Sequence, residues 1–150
     1  MLASFVSFLE DSHLIDFSVI QDEDDNGFVN RLRMQKYVYL AKYYGLDLGY
    51  SYTMYRYGPY SPDLTTAYYS LADSSYTSQD LPNTFKAQDF VSLVDNKDEH
   101  WLEIATTLLH QHKRVSDKEA LVKRVESIKC SYSIDYIRGV LNDLSQKNLV

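Results

Sequence analysis

Hydrophobic residues recur at helical spacing along most of the chain. Leu2, Phe5, Val6 and Leu9 predict a short amphipathic helix over residues 2–10, because residues three or four apart share one face of a helix. Two helices are predicted in the last third of the chain. The remaining predicted helices span residues 28–44, where Gly45 suits the stop, and residues 62–72, 85–94 and 98–112.

A different pattern interrupts the helices in the middle of the chain. Residues 50–57 read YSYTMYRY, which is β-prone and would place bulky side chains on both faces of one strand. Gly58 and Pro59 then break the regular structure. Ser61 suits the N-cap of the next helix and Pro62 its first position. We therefore expect one strand, a break and a well-capped helix.

The last third of the chain has the clearest helical pattern. The segment 116–119 matches a capping box that opens a helix, and residues up to Ile128 supply its buried positions. Ser133 suits the N-cap of a last helix that ends at Ser145. Helices of this order and length are typical of a winged-helix or helix-turn-helix module, in which the last helix would be the recognition helix. Residues 147–150 are long enough for a short strand.

The predicted fold class is mainly α: a winged-helix/helix-turn-helix-like helical domain with a few short β-strands. At 150 residues, the chain has the size of a single compact domain. Within it, residues 1–72 and 98–150 are possible sub-modules, the first containing the aromatic strand and the second the three-helix unit.

Charge is unevenly distributed along the chain. The formal net charge is -6, which disfavours general affinity for nucleic acid, yet residues 111–150 carry 8 Lys/Arg against 5 Asp/Glu. Two outward aspartates on the last helix, Asp135 and Asp143, would repel phosphates. The basic tail nevertheless makes DNA a possible partner, because its lysines and arginines could contact the phosphate backbone. The candidate nucleic-acid-binding residues are Lys118, Lys123, Arg124, Lys129 and Arg138.

Composition indicates the cellular compartment of the protein and how its fold can be stabilised. The hydrophobic fraction of 45% is enough for a packed core, and Cys130 is the one cysteine, so no internal disulfide can form. No stretch approaches 18 uninterrupted apolar residues, and the N-terminal segment lacks the basic start of a signal peptide. We expect a soluble, cytoplasmic protein with no membrane partner.

Few residues suggest catalysis or metal binding. Asp22 to Gly27 matches the first half of a calcium loop, but Arg33 stands where the loop needs a bidentate glutamate. His110 and His112 point in different directions on a helix and are interpreted as surface or helix-end residues. Motifs for nucleophilic or phosphate chemistry are absent from the sequence. We expect no catalytic residue, no metal, no cofactor and no small-molecule substrate.

Tyrosine is the composition signal that stands out. Eleven of the 14 tyrosines lie between positions 37 and 69. Partly exposed tyrosines are favoured at protein interfaces, although many of these could instead line a wet-edged core, as we expect for Tyr37 and Tyr44. Both interpretations stay open. The candidate partner-binding residues are Tyr52, Arg56, Tyr57, Tyr60 and Ser61.

Two segments carry a family resemblance. Residues 33–40 read RMQKYVYL, and after the aromatic strand residues 57–64 read YGPYSPDL. This pair resembles the "LQKLVYL" helix and "yGPyS-x-x-L" turn of uncharacterised archaeal and bacterial proteins of the YwgA-like type. More distantly, it resembles the phage-associated SocA-like (Panacea) antitoxin family. The resemblance covers roughly residues 28–150 and implies a helical, winged-helix-like fold with small β elements. It also implies a non-enzymatic regulatory or antitoxin-like role, neutralising or delivering a partner.

Two functional hypotheses follow. The first is a regulatory binding protein, antitoxin-like or transcription-regulator-like, whose basic tail over residues 111–147 touches DNA or a nucleic-acid-associated partner. The second is a protein–protein adaptor or homodimer that uses the tyrosine-rich surface around residues 56–61 and binds no nucleic acid. Salt separates them, because phosphate contacts weaken steeply with ionic strength and aromatic burial does not.

Overall fold

The computed structural model describes residues 1–77 and 79–150. Within these residues the chain forms seven α-helices and one antiparallel hairpin, so the prediction of a mainly helical chain with short strands is confirmed. The winged-helix arrangement stays a prediction. The helices are α1 (Leu2–Asp11), α2 (Asp25–Ala41), α3 (Pro62–Ala72), α4 (Ala87–Val94), α5 (Glu99–His112), α6 (Lys118–Ile128) and α7 (Ile134–Gln146), and the strands are β1 (Thr53–Tyr55) and β2 (Gly58–Tyr60).

The hairpin differs from the single strand predicted over residues 50–57. Strand β1 is only three residues long and pairs with β2, so that Thr53 lies opposite Tyr60 and Tyr55 opposite Gly58. Gly58 has a φ of +96°, a conformation that residues with a Cβ rarely adopt, and it lets the chain reverse after a two-residue turn. Gly-Pro is therefore the start of a second strand. Pro59 is tolerated because a two-stranded hairpin has free edges.

Four helices begin at a residue other than the predicted one: α4 begins two residues late, α5 one residue late, and α2 and α6 differ because of their caps. Helix α2 begins three residues early, because the Asp24 side chain accepts a hydrogen bond from the Gly27 backbone N–H at 2.9 Å. The N-cap of α6 is Asp117, which accepts from the Ala120 N–H at 2.9 Å, and the predicted cap at Ser116 is wrong. The charge of each capping aspartate also interacts favourably with the helix dipole.

Other predicted features near helix ends have mixed outcomes. Ser61 and Ser133 cap α3 and α7 as predicted. Ile128, predicted to be buried, is 39% exposed because it is the last residue of α6. Residues 147–150 form no strand; instead Asn148 adopts a left-handed conformation, and the Leu149 N–H returns to the Leu144 carbonyl at 3.0 Å.

Helix α5 lies at the centre of the packing. It contacts α2, α6, α7 and β2, and ten of its fourteen residues are buried, including polar ones. The hydroxyls of Thr106 and Thr107 donate to carbonyls one turn earlier in α5, at 2.8 and 2.7 Å, which satisfies them inside the core. One continuous cluster of buried apolar residues extends from Phe5 to Leu144. Tyr37 and Tyr44 belong to it, as predicted.

The side chains of Gln35 and Lys36 attach α2 to the hairpin. The Gln35 amide donates to the Ser61 carbonyl at 2.9 Å and accepts from the Ser61 N–H at 2.9 Å. The Lys36 ammonium donates to the Pro59 carbonyl at 2.8 Å. All three partners are buried, so these bonds fix the end of β2 and the start of α3 against α2.

We expect Gln35→Ala to destabilise the protein by about 1–3 kcal/mol. The substitution leaves the buried N–H of Ser61 without a partner, whereas the Ser61 carbonyl keeps the hydrogen bond from the Thr65 N–H at 3.2 Å. Urea denaturation followed by circular dichroism measures the loss. Gln88→Ala, at an exposed position of α4, is the matched control and should change stability by less than about 0.5 kcal/mol. A loss below about 1 kcal/mol for Gln35→Ala would contradict the role given to this amide.

Candidate functional site

A cavity of about 300 Å³ opens between α2, the hairpin and α3. Its size is at the lower end of the range of ligand pockets, or enough for one anchoring side chain of a partner. Nearly half of its lining residues are aromatic. The aromatic lining residues are Phe28, Tyr55, Tyr57, Tyr60, Tyr68 and Tyr69.

Neighbouring rings hold the aromatic wall in place. Phe28 meets Tyr57 edge to face at 5.3 Å between ring centroids, which joins the start of α2 to the hairpin turn. Tyr55 and Tyr60 pack at 5.0 Å across the two strands. Such pairs stabilise beyond their buried area. The rim is nevertheless open, since Phe28, Tyr55 and Tyr57 are 41%, 54% and 40% exposed.

Hydrogen bonds fix the polar ends of the deeper tyrosines. The Thr65 hydroxyl donates to the Tyr60 hydroxyl at 2.6 Å and lies 3.3 Å from the Tyr68 hydroxyl. Burial raises the pKa of Tyr68 to about 12, so its hydroxyl stays neutral. The back of the cavity is therefore a set of oriented, uncharged hydroxyls.

Three basic side chains also line the cavity, and none of the described residues that line it is acidic. Arg31 donates to the carbonyls of Ile20 and Asp22 at 3.0 and 2.6 Å. The Arg56 guanidinium lies 5.6 Å from the Tyr57 ring centroid, at the outer edge. Lys36 lies at the base. The cavity thus combines aromatic surface with positive charge.

A buried charged cluster supports the hairpin from below. Lys129 pairs with Glu103 at 2.9 Å and also donates to the Arg56 carbonyl at 2.7 Å. The Tyr132 hydroxyl donates to the other oxygen of Glu103 at 3.1 Å. Burial lowers the pKa of Lys36 to about 7; the nearby Glu103 charge opposes this shift and Lys129 adds to it. Near neutral pH the cluster therefore holds a variable charge at Lys36.

The predicted partner-binding residues separate into two groups. Arg56, Tyr57 and Tyr60 line the cavity. Tyr52 lies elsewhere, edge to face with Tyr39 at 5.0 Å. Ser61 is fully buried as the N-cap of α3 and the partner of Gln35, so it offers no surface for binding.

Sequence analysis missed the contribution of α2 to the cavity. Phe28, Arg31 and Leu32 recur three and four residues apart, and Gln35 continues the same face of the helix. This stripe is visible in the sequence. It combines apolar, basic and amide side chains, however, and is not recognisable as a site until the hairpin is placed over it.

The predicted nucleic-acid-binding residues lie in different environments. Lys118, Lys123 and Arg124 are exposed on α6, and Arg124 donates to the Gln111 side chain at 3.2 Å. Arg138 pairs with Glu119 at 3.0 Å on the surface. Lys129 is buried and paired with Glu103, which leaves its ammonium no free side for a phosphate.

The calcium-loop pattern and the two histidines near the end of α5 are the sequence features that bear on metal binding. Arg33, at the last position of the calcium-loop pattern, pairs with Glu99 at 2.9 Å, and Asp25 to Gly27 are already helical. The two histidines near the end of α5 are half-buried rather than on the surface, with Nδ1 atoms that lack a partner in the described part of the chain. Among the described residues, no cluster of three potential metal ligands occurs.

Comparisons with known proteins leave the fold and the cavity as the basis for classification. No family model, no curated protein and no solved structure matches the chain. None of the helices in residues 1–77 and 79–150 has the length and apolar character needed to cross a membrane. What is established is a mainly helical protein with an aromatic, basic cavity beneath a short hairpin.

We expect the stability of the protein to rise relative to a Lys36→Met variant between about pH 7 and about pH 9. The folded protein loses the Lys36 proton near pH 7, whereas the unfolded chain keeps it until about pH 10. Over this interval the unfolded state binds more protons, so stability increases with pH; below about pH 6 the difference should be constant.

Urea denaturation of both proteins across this range measures the difference in unfolding free energy. Lys118→Met, at an exposed position, is the control and should show a flat difference from the parent. A flat difference for Lys36→Met as well would contradict a lysine that is buried at the cost of its charge.

Proposed function

We propose that this chain is a non-enzymatic binding protein that captures a segment of a partner protein in the aromatic cavity between α2, the hairpin and α3. The observation that carries the proposal is the exposure of Phe28, Tyr55 and Tyr57 around one concave opening. Single exposed aromatic residues are common, but three around a cavity are typical of an interaction site.

Hydrogen bonds within the chain hold the cavity wall in place. Thr65 holds the Tyr60 hydroxyl, Gln35 holds the backbone at Ser61, and Lys129 holds the carbonyl at Arg56. A wall fixed in this way loses little conformational entropy on binding, so more of the contact energy contributes to affinity. Tyrosine adds rigid contact area with few rotatable bonds.

A polypeptide suits this site better than a nucleic acid. Residues 1–110, which include the whole cavity wall, carry 7 Lys/Arg against 16 Asp/Glu. The acidic surface outside the cavity therefore repels a long polyphosphate chain, whereas a short peptide can place its charges at the basic cavity wall alone. Tyrosine-rich surfaces bind proteins through aromatic anchors at the centre of the interface.

The resemblance to the YwgA-like proteins and to the SocA-like (Panacea) antitoxins supports a regulatory role for this binding. In such a role the chain would neutralise or deliver the partner that it holds. The two segments that carry the resemblance meet in the structure, since residues 33–40 include Gln35 and Lys36, which bond to the backbone of residues 59–61. Their joint presence is thus explained by the architecture of the cavity.

A phage-displayed library of random peptides, selected on the intact protein, tests the proposal. We expect enriched peptides to lose about tenfold or more in affinity for Tyr57→Ala and for Phe28→Ala, because both substitutions remove exposed rim surface. Tyr136→Ala is the matched control, since Tyr136 is similarly exposed but lies outside the cavity on α7. Helical circular dichroism should be unchanged in all three variants.

Two results would overturn the proposal. One is the failure of any peptide to be enriched over a blank surface. The other is equal binding of the selected peptides to the parent and both rim variants. A homodimer formed through the same rim would appear in light scattering as a doubled mass that Tyr57→Ala reduces.

A DNA-binding role is the second candidate, and the exposure of Lys118, Lys123 and Arg124 along α6 favours it. Fluorescence anisotropy with random-sequence duplex DNA at low and moderate salt tests it. Phosphate contacts predict affinity that falls steeply with salt and disappears when Lys123 and Arg124 are both replaced by Glu. Absence of binding at low salt would exclude this role.

A further inference from the structure

The charge of the cavity wall is opposite to that of the protein as a whole. The chain carries 21 Asp/Glu against 15 Lys/Arg. Among the described residues, the cavity wall is nevertheless lined by the guanidinium groups of Arg31 and Arg56, by Lys36, whose charge varies near neutral pH, and by no carboxylate. Positive charge is therefore grouped beside aromatic rings in a chain whose net charge is negative. Such a group of charges favours an anionic ligand over a cationic one at this cavity.

The charge of Arg56 is uncompensated. Its backbone is anchored, because the Lys129 ammonium donates to its carbonyl at 2.7 Å. Its side chain is exposed over the Tyr57 ring and, within the described residues, has no carboxylate within ion-pair distance. The positively charged group is therefore presented at the rim with its hydrogen-bond donors available for a ligand.

Arg31 adds a second positive charge deeper in the same wall. Its hydrogen bonds go to the carbonyls of Ile20 and Asp22, which hold the side chain in place and leave its charge unneutralised. An acidic group entering the cavity would thus meet one fixed and one exposed guanidinium. The apolar wall between them lowers the local dielectric and strengthens both attractions.

We propose that the cavity selects acidic segments of a partner protein, in which a Glu or Asp side chain pairs with Arg56 and Arg31 while a neighbouring aromatic or aliphatic side chain packs among the tyrosines. This inference rests on the proposed function and specifies the chemistry of the segment. Guanidinium groups bind carboxylates in a bidentate manner, which gives orientation as well as attraction. The aromatic wall contributes the apolar part of the affinity.

Three labelled synthetic peptides, measured by fluorescence anisotropy with the full chain, test the inference. Each has a central tryptophan, flanked by glutamates in the first, glutamines in the second and lysines in the third. We expect the glutamate peptide to bind about tenfold more tightly than the glutamine peptide and the lysine peptide to bind weakest. The advantage of the glutamate peptide should decrease at high salt.

A charge reversal identifies the residue responsible. In Arg56→Glu the order of the glutamate and lysine peptides should invert, since the substitution changes an exposed side chain and leaves the carbonyl that Lys129 contacts. Arg114→Glu, which makes the same change at an exposed position outside the cavity, should keep the parent order. Circular dichroism confirms that both variants are folded.

The outcomes separate this inference from the function beneath it. If neither these peptides nor library peptides bind, the proposed function fails. If all three peptides bind equally, or the order does not follow Arg56, the peptide site stands and the selection for acidic segments is overturned. Tighter binding of a single-stranded oligonucleotide than of the glutamate peptide would overturn the assignment to a protein partner.

Discussion

The amide of Gln35 forms two hydrogen bonds with the backbone of Ser61, and these bonds hold the end of the hairpin and the start of α3 against α2. Gln35 satisfies a buried N–H and a buried C=O in the way that a neighbouring strand would, so β2 is paired on one side by β1 and closed at its end by a helix. The same Ser61 caps α3. One side chain of α2 therefore sets the position of both other elements.

The packing of α2 against the hairpin also buries charged side chains beneath the hairpin. Lys36 and Lys129 face a single carboxylate, Glu103, in a region closed to water. Two cations and one anion would leave a net charge inside the protein, which is costly. The lowered pKa of Lys36 relieves this cost, because its neutral amine still donates to the Pro59 carbonyl. Above about pH 7 the cluster thus holds one cation, Lys129, and one anion, Glu103, so their charges cancel.

Local signals predicted the helices well and the cavity poorly. Helices α3 and α7 follow from the caps at Ser61 and Ser133 and from their apolar spacing. The hairpin escaped prediction because strands of three residues show little alternation and because Gly58-Pro59 has the composition of a break.

Long-range pairing explains the other errors. Lys129 and Glu103 are distant in sequence and meet through the packing of α5 against α6, so the burial of this lysine cannot be inferred from its neighbours. Arg56, Tyr57 and Tyr60 are candidates because of the abundance of tyrosine around them, and they line the cavity, while their role in binding stays a prediction. Phe28 and Arg31 join that site across an intervening loop, which only the tertiary structure reveals.

The bond from Lys129 to the Arg56 carbonyl joins the C-terminal helices to the hairpin turn. Lys129 follows α6 immediately, so any displacement of α6 relative to α5 changes the support of the turn. If the cavity binds a partner as proposed, an occupant that holds the turn in place would resist movement of α6, and by linkage a molecule that shifts α6 would lower affinity at the turn by the same factor. The hydrogen bond from this one ammonium is the contact through which such a coupling would pass.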